Sequence, residues 1–457
     1  MSKPIRKIVC IGAGYVGGPT MAVIADRCPD LEVTVIDLNQ ERIAAWNSER
    51  LPVYEPGLEP IVRRTRGRNL RFISQQAGAG AVAAADAVFI SVNTPTKTHG
   101  AGAGKASDLS FVEACARYIA EHATGHTIVI EKSTMPVRAA ETIQRILATS
   151  PHGGTFDVLS NPEFLAEGTA IRDLEHPDRV LVGGEAPAAV AALAEVYARW
   201  VPEPAIIRTG LWSAELSKLA ANAFLAQRVS SINAISALCE VTGAQVAEVS
   251  VVLGRDSRIG PKFLRASIGF GGSCFKKDLL SLIYLCEFHG LTEPAAYWQG
   301  VLDLNEWQKL RFARRAAEHA RRGGGVVAIL GLAFKKDTND FRESPAIDIC
   351  NHLLAQGLRL RLQDERVDPR EFTKVIVDEL STGFEFCTEV AEAVRGADAV
   401  LVLTDWDRYA SLDWSKLAAL MPTTALVIDG RAIVDDAQVR AAGLTAYVVG
   451  RGGPAVG

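Results

Sequence analysis

The chain has 457 residues, 49 basic against 53 acidic side chains, and a formal charge of -4. With 48% hydrophobic and 22% charged residues the composition excludes a disordered or collagen-like chain, and the length exceeds the ~250–300 residues of a single core, so two or three domains are expected. There is no basic excess to displace counterions from nucleic acid, and the eight cysteines include no C-x-x-C pair, which fits a reducing cytoplasm better than secretion.

At the amino terminus Lys3, Arg6 and Lys7 precede an uncharged stretch from Ile8 to Ala25, as in a signal peptide, but Gly12, Gly14, Gly17, Gly18 and Pro19 interrupt it. No other stretch approaches the ~20 apolar residues of a membrane helix. Lys7–Ile11, Glu32–Ile36, Ala87–Val92, Thr127–Ile130 and Val180–Val182 have the β-branched character of buried parallel strands, with alanine-rich helical segments between them. Ala214–Cys239 and Tyr297–Arg321 keep helical periodicity without strand signals. After Arg321-Arg322-Gly323-Gly324-Gly325, strands are expected again at Val326–Leu330, Arg359–Gln363, Ala399–Thr404 and Ala425–Asp429. The expected fold is α/β, with two Rossmann-like doubly wound domains (1–212 and 323–457) joined by a long helical connector (213–322) that could also supply a dimer surface.

The first strand runs into Gly12-Ala13-Gly14-Tyr15-Val16-Gly17, a G-x-G-x-x-G that permits a tight turn and a close approach of backbone to a pyrophosphate at a helix N-terminus. Asp37 ends the next strand, where a carboxylate can accept hydrogen bonds from both ribose hydroxyls; this favours NAD over NADP, although Arg42 stands nearby. On the fingerprint alone, FAD remains the alternative. Ser91-Val92-Asn93-Thr94-Pro95-Thr96 and Glu131-Lys132-Ser133-Thr134 follow later strands and bring hydroxyls to the carboxyl edge of the sheet, or else are ordinary turns.

Seven cysteines sit in apolar or helical contexts and are expected in cores. Cys274 instead follows the glycine-rich Gly269-Phe270-Gly271-Gly272-Ser273 and opens a helix with Lys276, Lys277 and Asp278, a setting that favours the thiolate. Lys218 and Asn222, four apart in an alanine-rich helix, project together; Lys218 is a candidate base or an electrostatic stabiliser for an alkoxide, or the two belong to a solvated helix face. Asn161-Pro162-Glu163-Phe164-Leu165-Ala166-Glu167-Gly168 places two carboxylates four apart, suited to holding or activating a hydrolytic water, or else Glu167 simply supports the first turn of a helix. His122 and His126 are assigned to a helix end, and no metal site is expected.

Together, Ile11–Gly17, Ser91–Thr96, Asn161–Gly168, Leu216–Arg228 and Phe270–Asp278 resemble the UDP-glucose 6-dehydrogenases, particularly the eukaryotic type. Ala45-Trp46-Asn47-Ser48, Tyr54-Glu55-Pro56-Gly57-Leu58, Phe334-Lys335-Lys336-Asp337-Thr338 and Asp429-Gly430-Arg431 extend the resemblance over nearly the whole chain. It implies oxidation of UDP-glucose to UDP-glucuronate with two NAD and water, and a carboxy-terminal domain that binds UDP. It also implies Cys274 as nucleophile, with Lys218, Asn222 and Asp278 around the reacting oxygen and the attacking water, Glu163 in thioester hydrolysis and Thr134 in its water network.

The cofactor residues implied are Gly12, Gly14, Tyr15, Val16, Gly17, Asp37, Arg42, Val92, Asn93, Thr94, Pro95, Thr96, Ser133, Thr134, Glu167, Cys274, Lys277 and Arg342. Those implied for substrate are Glu163, Phe164, Leu165, Ala166, Glu167, Lys218, Asn222, Arg258, Phe263, Leu264, Arg265, Phe270, Gly271, Lys335 and Arg431, with Arg258 reaching a neighbouring subunit. A homodimer or hexamer and feedback by UDP-xylose are further implications. Arg265 departs from the lysine of animal enzymes, and Leu362-Gln363-Asp364 from their Tyr-Asp-Pro. Alternatives are another nucleotide-sugar 6-dehydrogenase, acting on GDP-mannose or a UDP-N-acetylhexosamine, or an inactive nucleotide-sugar-binding protein.

Overall fold

Alternate residues of the amino-terminal strands bury on opposite faces of one sheet, as the two-residue period of a strand requires. In β1 (Lys7–Ile11), Ile8 and Cys10 join one apolar cluster while Val9 and Ile11 join another; in β4 (Ala87–Ile90), Phe89 and Ile90 divide in the same way. A sheet buried on both faces needs helices on both, and Gly17–Arg27 and Ser110–His122 supply part of each layer.

The computed structural model describes residues 4–377 and 383–452. The remaining strands of the first sheet are β2 (Glu32–Asp37), β3 (Leu70–Ser74), β5 (His126–Glu131), β6 (Thr155–Ser160), β7 (Val180–Gly184) and β8 (Ile206–Thr209). Their order, β3-β2-β1-β4-β5-β6-β7-β8, begins with the doubly wound arrangement and its switch point between β1 and β4. The fingerprint glycines, Asp37, Ser91 and Lys132 all follow or end strands at the carboxyl edge. One expectation is corrected here: β7 is antiparallel to β6, through Leu159 opposite Gly184 and Ser160 opposite Gly183, and parallel only to β8. His126 is also corrected, since it begins β5 and pairs with Asp157 at 3.0 Å rather than ending a helix.

The chain separates into two compact units, one running to Ala221 and taking in Leu280–His289, the other formed by Asn222–Leu279 and the chain from Gly290 on. The second unit carries β9 (Val326–Leu330), β10 (Arg359–Gln363), β11 (Phe384–Phe386), β12 (Ala399–Val402), β13 (Leu426–Asp429) and β14 (Thr445–Val448). These form an all-parallel sheet in the order β11-β10-β9-β12-β13-β14, repeating the first six places of the amino-terminal sheet. The helix Leu211–Thr242 is the long connector between the sheets, and the expected second long helix spans Thr292–Ala320. No helix among the described residues is long and apolar enough to cross a membrane.

Cys10, Cys28, Cys115, Cys239, Cys286 and Cys350 are buried as expected, whereas Cys387 is half-buried against the carboxy-terminal core. All eight cysteines are free thiols.

Candidate active site

Gly12 turns the chain at the end of β1 with φ +112°, and a Cβ there would lie 2.1 Å from the Ser91 carbonyl oxygen, so only glycine fits. At Gly14 a Cβ would meet no atom of the chain within 4 Å. Gly14 therefore keeps open a space in front of the helix Gly17–Arg27, whose N-terminal N–H groups suit a pyrophosphate. Val16 precedes that helix without a capping side chain. Tyr15 is half-buried beside it and packs against the core.

Trp46 supports the turn from below. Its indole Nε1 donates to the Ala13 carbonyl at 2.9 Å and its ring stacks on Phe72. Asp37 accepts from the backbone N–H groups of Ala13 and Asn39, each at 2.8 Å, and pairs with the Arg42 guanidinium at 3.1 Å.

The loops after β4 and β5 are tied together: the Thr94 hydroxyl donates to the Thr134 carbonyl at 3.0 Å and the Ser133 hydroxyl to the Val92 carbonyl at 2.6 Å. Val92, Pro95 and Thr96 are half-buried and Asn93 is exposed, leaving polar groups at the sheet edge. Glu131, fully buried at the end of β5, faces Glu215 of the long helix. Glu215 accepts from the backbone N–H groups of Arg138 (2.7 Å) and Ala140 (2.9 Å), while no donor group reaches either Glu131 oxygen. Two buried carboxyls in contact cannot both ionise, so Glu131 holds the proton: burial and the Glu215 charge raise its pKa well above the carboxylate range.

After β6, Glu163 is buried against Lys218 at 2.9 Å, and its other oxygen accepts from the Leu165 N–H at 3.0 Å. Phe164 is half-buried, with the Arg179 guanidinium 3.8 Å and the Lys218 ammonium 5.5 Å from its ring centre. Ala166 is exposed and Glu167 half-buried in the turn before the helix Ala170–Glu175. Glu55 holds that turn by accepting from the N–H groups of Gly168 (2.8 Å) and Ala170 (3.1 Å). Lys218 is thus a buried ionic partner, not a solvated helix face.

In the second unit the Asn222 amide donates to Asp278 Oδ2 at 2.6 Å, both buried, and Lys277 lies 3.3 Å from Oδ1. Cys274 is half-buried at the head of the helix Phe275–Phe288; its carbonyl accepts the Asp278 N–H at 2.9 Å and its thiol lies 3.7 Å from the Ser273 hydroxyl. Burial pushes the thiols of the other seven cysteines up. Asn305 clamps the loop leading to Cys274, accepting from the Phe270 N–H (2.8 Å) and donating to its carbonyl (3.1 Å).

The same unit contains a cavity of about 220 Å³ lined by Phe263, Arg265, Phe270, Gly271, Phe275, Lys335 and Arg431, among others. Three cations beside aromatic rings suit a nucleoside diphosphate. Leu264 is buried and does not line the cavity. Arg342 is held in a bidentate pair by Asp340, with Nη2 to Oδ2 at 2.6 Å, and its carbonyl accepts from the Gly272 N–H. Arg258 is exposed, pairs with Asp256 at 2.6 Å and lines no part of the cavity.

Trp46, Glu55, Asn305 and Lys132 were given no individual role in the sequence analysis. Trp46 and Glu55 stand in segments that carry the family resemblance, and Lys132 in the segment after β5 already singled out; nothing in the sequence marked Asn305.

The chain matches three family models of the UDP-glucose/GDP-mannose dehydrogenase family: the NAD binding domain over residues 6–201, the central domain over 212–307 and the UDP binding domain over 328–436. It is 52% identical to UDP-glucose 6-dehydrogenase 1 of Arabidopsis thaliana and 53% to UDP-glucose 6-dehydrogenase 1 of Oryza sativa subsp. japonica, each over 97% of both chains. Among solved structures it is similar to a UDP-glucose dehydrogenase from Pyrobaculum islandicum, with TM-score 0.86, 31% identity and 99% of both chains covered.

Proposed function

The chain belongs to the UDP-glucose/GDP-mannose dehydrogenase family, and on that premise we propose that it oxidises C6 of UDP-glucose to the carboxylate, with two NAD and one water. The open space at Gly14, the helix N-terminus beyond it and the Asp37 carboxylate fit a dinucleotide. NAD supplies the hydride acceptor, twice in each turnover. The domains assigned are 1–212 for NAD, 213–322 for the helical centre with Cys274, and 323–457 for UDP. In the last, the cavity containing Lys335 and Arg431 suits the diphosphate.

Lys218 and Asn222 stabilise the O6 oxyanion that forms as the alcohol loses its proton. Loss of one hydride leaves an aldehyde, which has no second carbinol hydrogen to give. The Cys274 thiolate then adds to the carbonyl carbon and forms a thiohemiacetal, restoring a carbon that can lose hydride. The resulting thioester is hydrolysed: Glu163 takes a proton from water, the hydroxide oxygen bonds to the acyl carbon, and the C–S bond breaks with its electron pair on Cys274. Asp278, held by Asn222, and Thr134 orient the oxygen and the water. An assembly of two or six chains, in which Arg258 serves a neighbour's site, a cytoplasmic location and inhibition by UDP-xylose complete the proposal.

Cys274 carries this assignment, as the one cysteine of eight placed at the head of a long helix beside a buried amide–carboxylate pair. Cys274→Ser is expected to abolish steady UDP-glucuronate release while NAD binding, read by calorimetry, survives. Undiminished release by the variant would remove Cys274 from the chemistry.

A further inference from the structure

The cavity of the second unit has one acid among its lining residues, Asp405, beside the cations Arg265, Lys335 and Arg431. Asp405 follows β12 and Lys335 follows β9. These strands are neighbours where the order β11-β10-β9-β12-β13-β14 reverses, and in an open α/β sheet the crevice beyond the carboxyl ends at such a point takes the ligand. The residues on either side hold Asp405 in place. The buried Thr404 hydroxyl donates to the Ala333 carbonyl at 2.5 Å, and the buried Trp406 indole donates to Asp364 at 3.3 Å.

No hydrogen-bonded ion pair consumes the Asp405 carboxylate. Its Oδ1 accepts the Lys336 N–H at 3.3 Å, while Oδ2 lies 3.8 Å from the Arg265 guanidinium, beyond hydrogen-bond reach. The guanidinium groups nearby spend donors on the main chain instead. Arg431 donates to the carbonyls of Leu403 (2.6 Å) and Phe334 (2.7 Å), and Arg265 to the Arg431 carbonyl (2.9 Å). Asp405 is half-buried and, among the described residues, no donor reaches Oδ2, so that oxygen is open to a ligand.

A carboxylate accepts hydrogen bonds and donates none, and it repels phosphate. What it meets in a bound nucleotide sugar must therefore be neutral and must donate. The uracil N3–H suits it poorly, because the carbonyl oxygen on each side would face the same charge. Vicinal hydroxyls suit it well, and both ribose and glucose carry them. Glucose must bring C6 to Cys274, which does not line the cavity; the hexose then extends beyond the cavity and the nucleoside diphosphate occupies it.

We propose that Asp405 is a specificity-determining residue: its carboxylate accepts hydrogen bonds from the ribose hydroxyls of the nucleotide and so admits ribonucleotides over their deoxy counterparts. The inference rests on the UDP site assigned above. A site that offers an acceptor to a ligand hydroxyl discriminates against the ligand that lacks it, because the acceptor is left unpaired.

The test is calorimetry of the full-length protein with UDP, 2′-deoxy-UDP and 3′-deoxy-UDP. The unaltered protein is expected to bind at least one deoxy nucleotide about tenfold more weakly than UDP, and Asp405→Ala to bring that ratio close to one. The ratio is the readout because loss of a negative charge near the diphosphate, or a general loosening of the loop, changes the affinity for all three ligands alike and cancels. If Asp405→Ala does not fold, Asp405→Asn replaces it, since its amide oxygen still accepts the Lys336 N–H without the charge; the preference for UDP is then expected to fall by about threefold.

Equal binding of UDP and both deoxy nucleotides by the unaltered protein, or a preference that survives intact in the variant, would overturn the proposal. A variant that loses affinity for UDP-glucose relative to UDP while keeping the ribose preference would place the carboxylate on glucose and overturn it as well. Failure of the unaltered protein to bind UDP at all would strike the UDP assignment and the proposal with it, whereas the other results strike the ribose contact alone.

Discussion

The Lys218 ammonium and the Glu163 carboxylate meet at 2.9 Å with both side chains buried. Each desolvated charge is tolerable because of the other. Removing one partner strands the other, so Lys218→Met should destabilise the chain by about 3–5 kcal/mol, read by urea denaturation. Turnover should fall by at least ~10²-fold. The double variant Lys218→Met/Glu163→Leu, which removes both charges, should regain most of the stability and none of the activity. Equal stability of the two variants would show that the pair is not the source of the loss.

Gly12 and Gly14 stand two residues apart but differ in what surrounds them. Gly14→Ala places its methyl group in open space; its melting temperature should stay near that of the unaltered chain while NAD affinity falls by at least tenfold, about 1.4 kcal/mol. Gly12→Ala, forced against the Ser91 carbonyl at positive φ, should misfold. Calorimetry with NAD, paired with thermal melts, separates the two. Unchanged NAD affinity in folded Gly14→Ala would remove that turn from the cofactor site.

Glu131 keeps its proton in the folded chain above the pH at which an unfolded glutamate releases it. Its stabilising contribution is therefore complete below the ordinary carboxyl value and is lost as pH rises through the raised folded value. Glu131→Gln cannot ionise and can donate its amide to Glu215, so its stability should fall less toward alkaline pH than that of the unaltered chain. The gain should reach about 1–3 kcal/mol. Denaturation curves at several pH values check this, and parallel pH dependences would contradict the shared proton.

The strands β1, β9 and β10 were legible to the residue, the first two because each is a short β-branched or aliphatic run that must be buried, the third because leucine alternates with arginine at the period of a strand. Direction was not. The apolar run in β7 says that the segment is buried, while its antiparallel turn is set by two residue pairs with β6. β11 is three residues long at an edge, and β8 exposes Ile207; neither has a pattern long enough to read. β3 and β14 also had no counterpart in the sequence analysis.

The glycine turn after β1 and the place of Cys274 at the head of a helix were legible because glycine and cysteine have few other uses in such settings. The partners of Lys218 were not, since Glu163 lies 55 positions away in the chain and a buried ion pair has no local period. The partners of Lys132 were hidden for the same reason: Asn161 and Tyr197 reach it from other elements.

The number of hydrides removed from each substrate molecule tests the central claim most directly. With UDP-glucose limiting and NAD in excess, the account predicts two NADH formed and one UDP-glucuronate released for each UDP-glucose consumed. One NADH with accumulation of the aldehyde, or no NADH at all, would contradict a four-electron oxidation through Cys274.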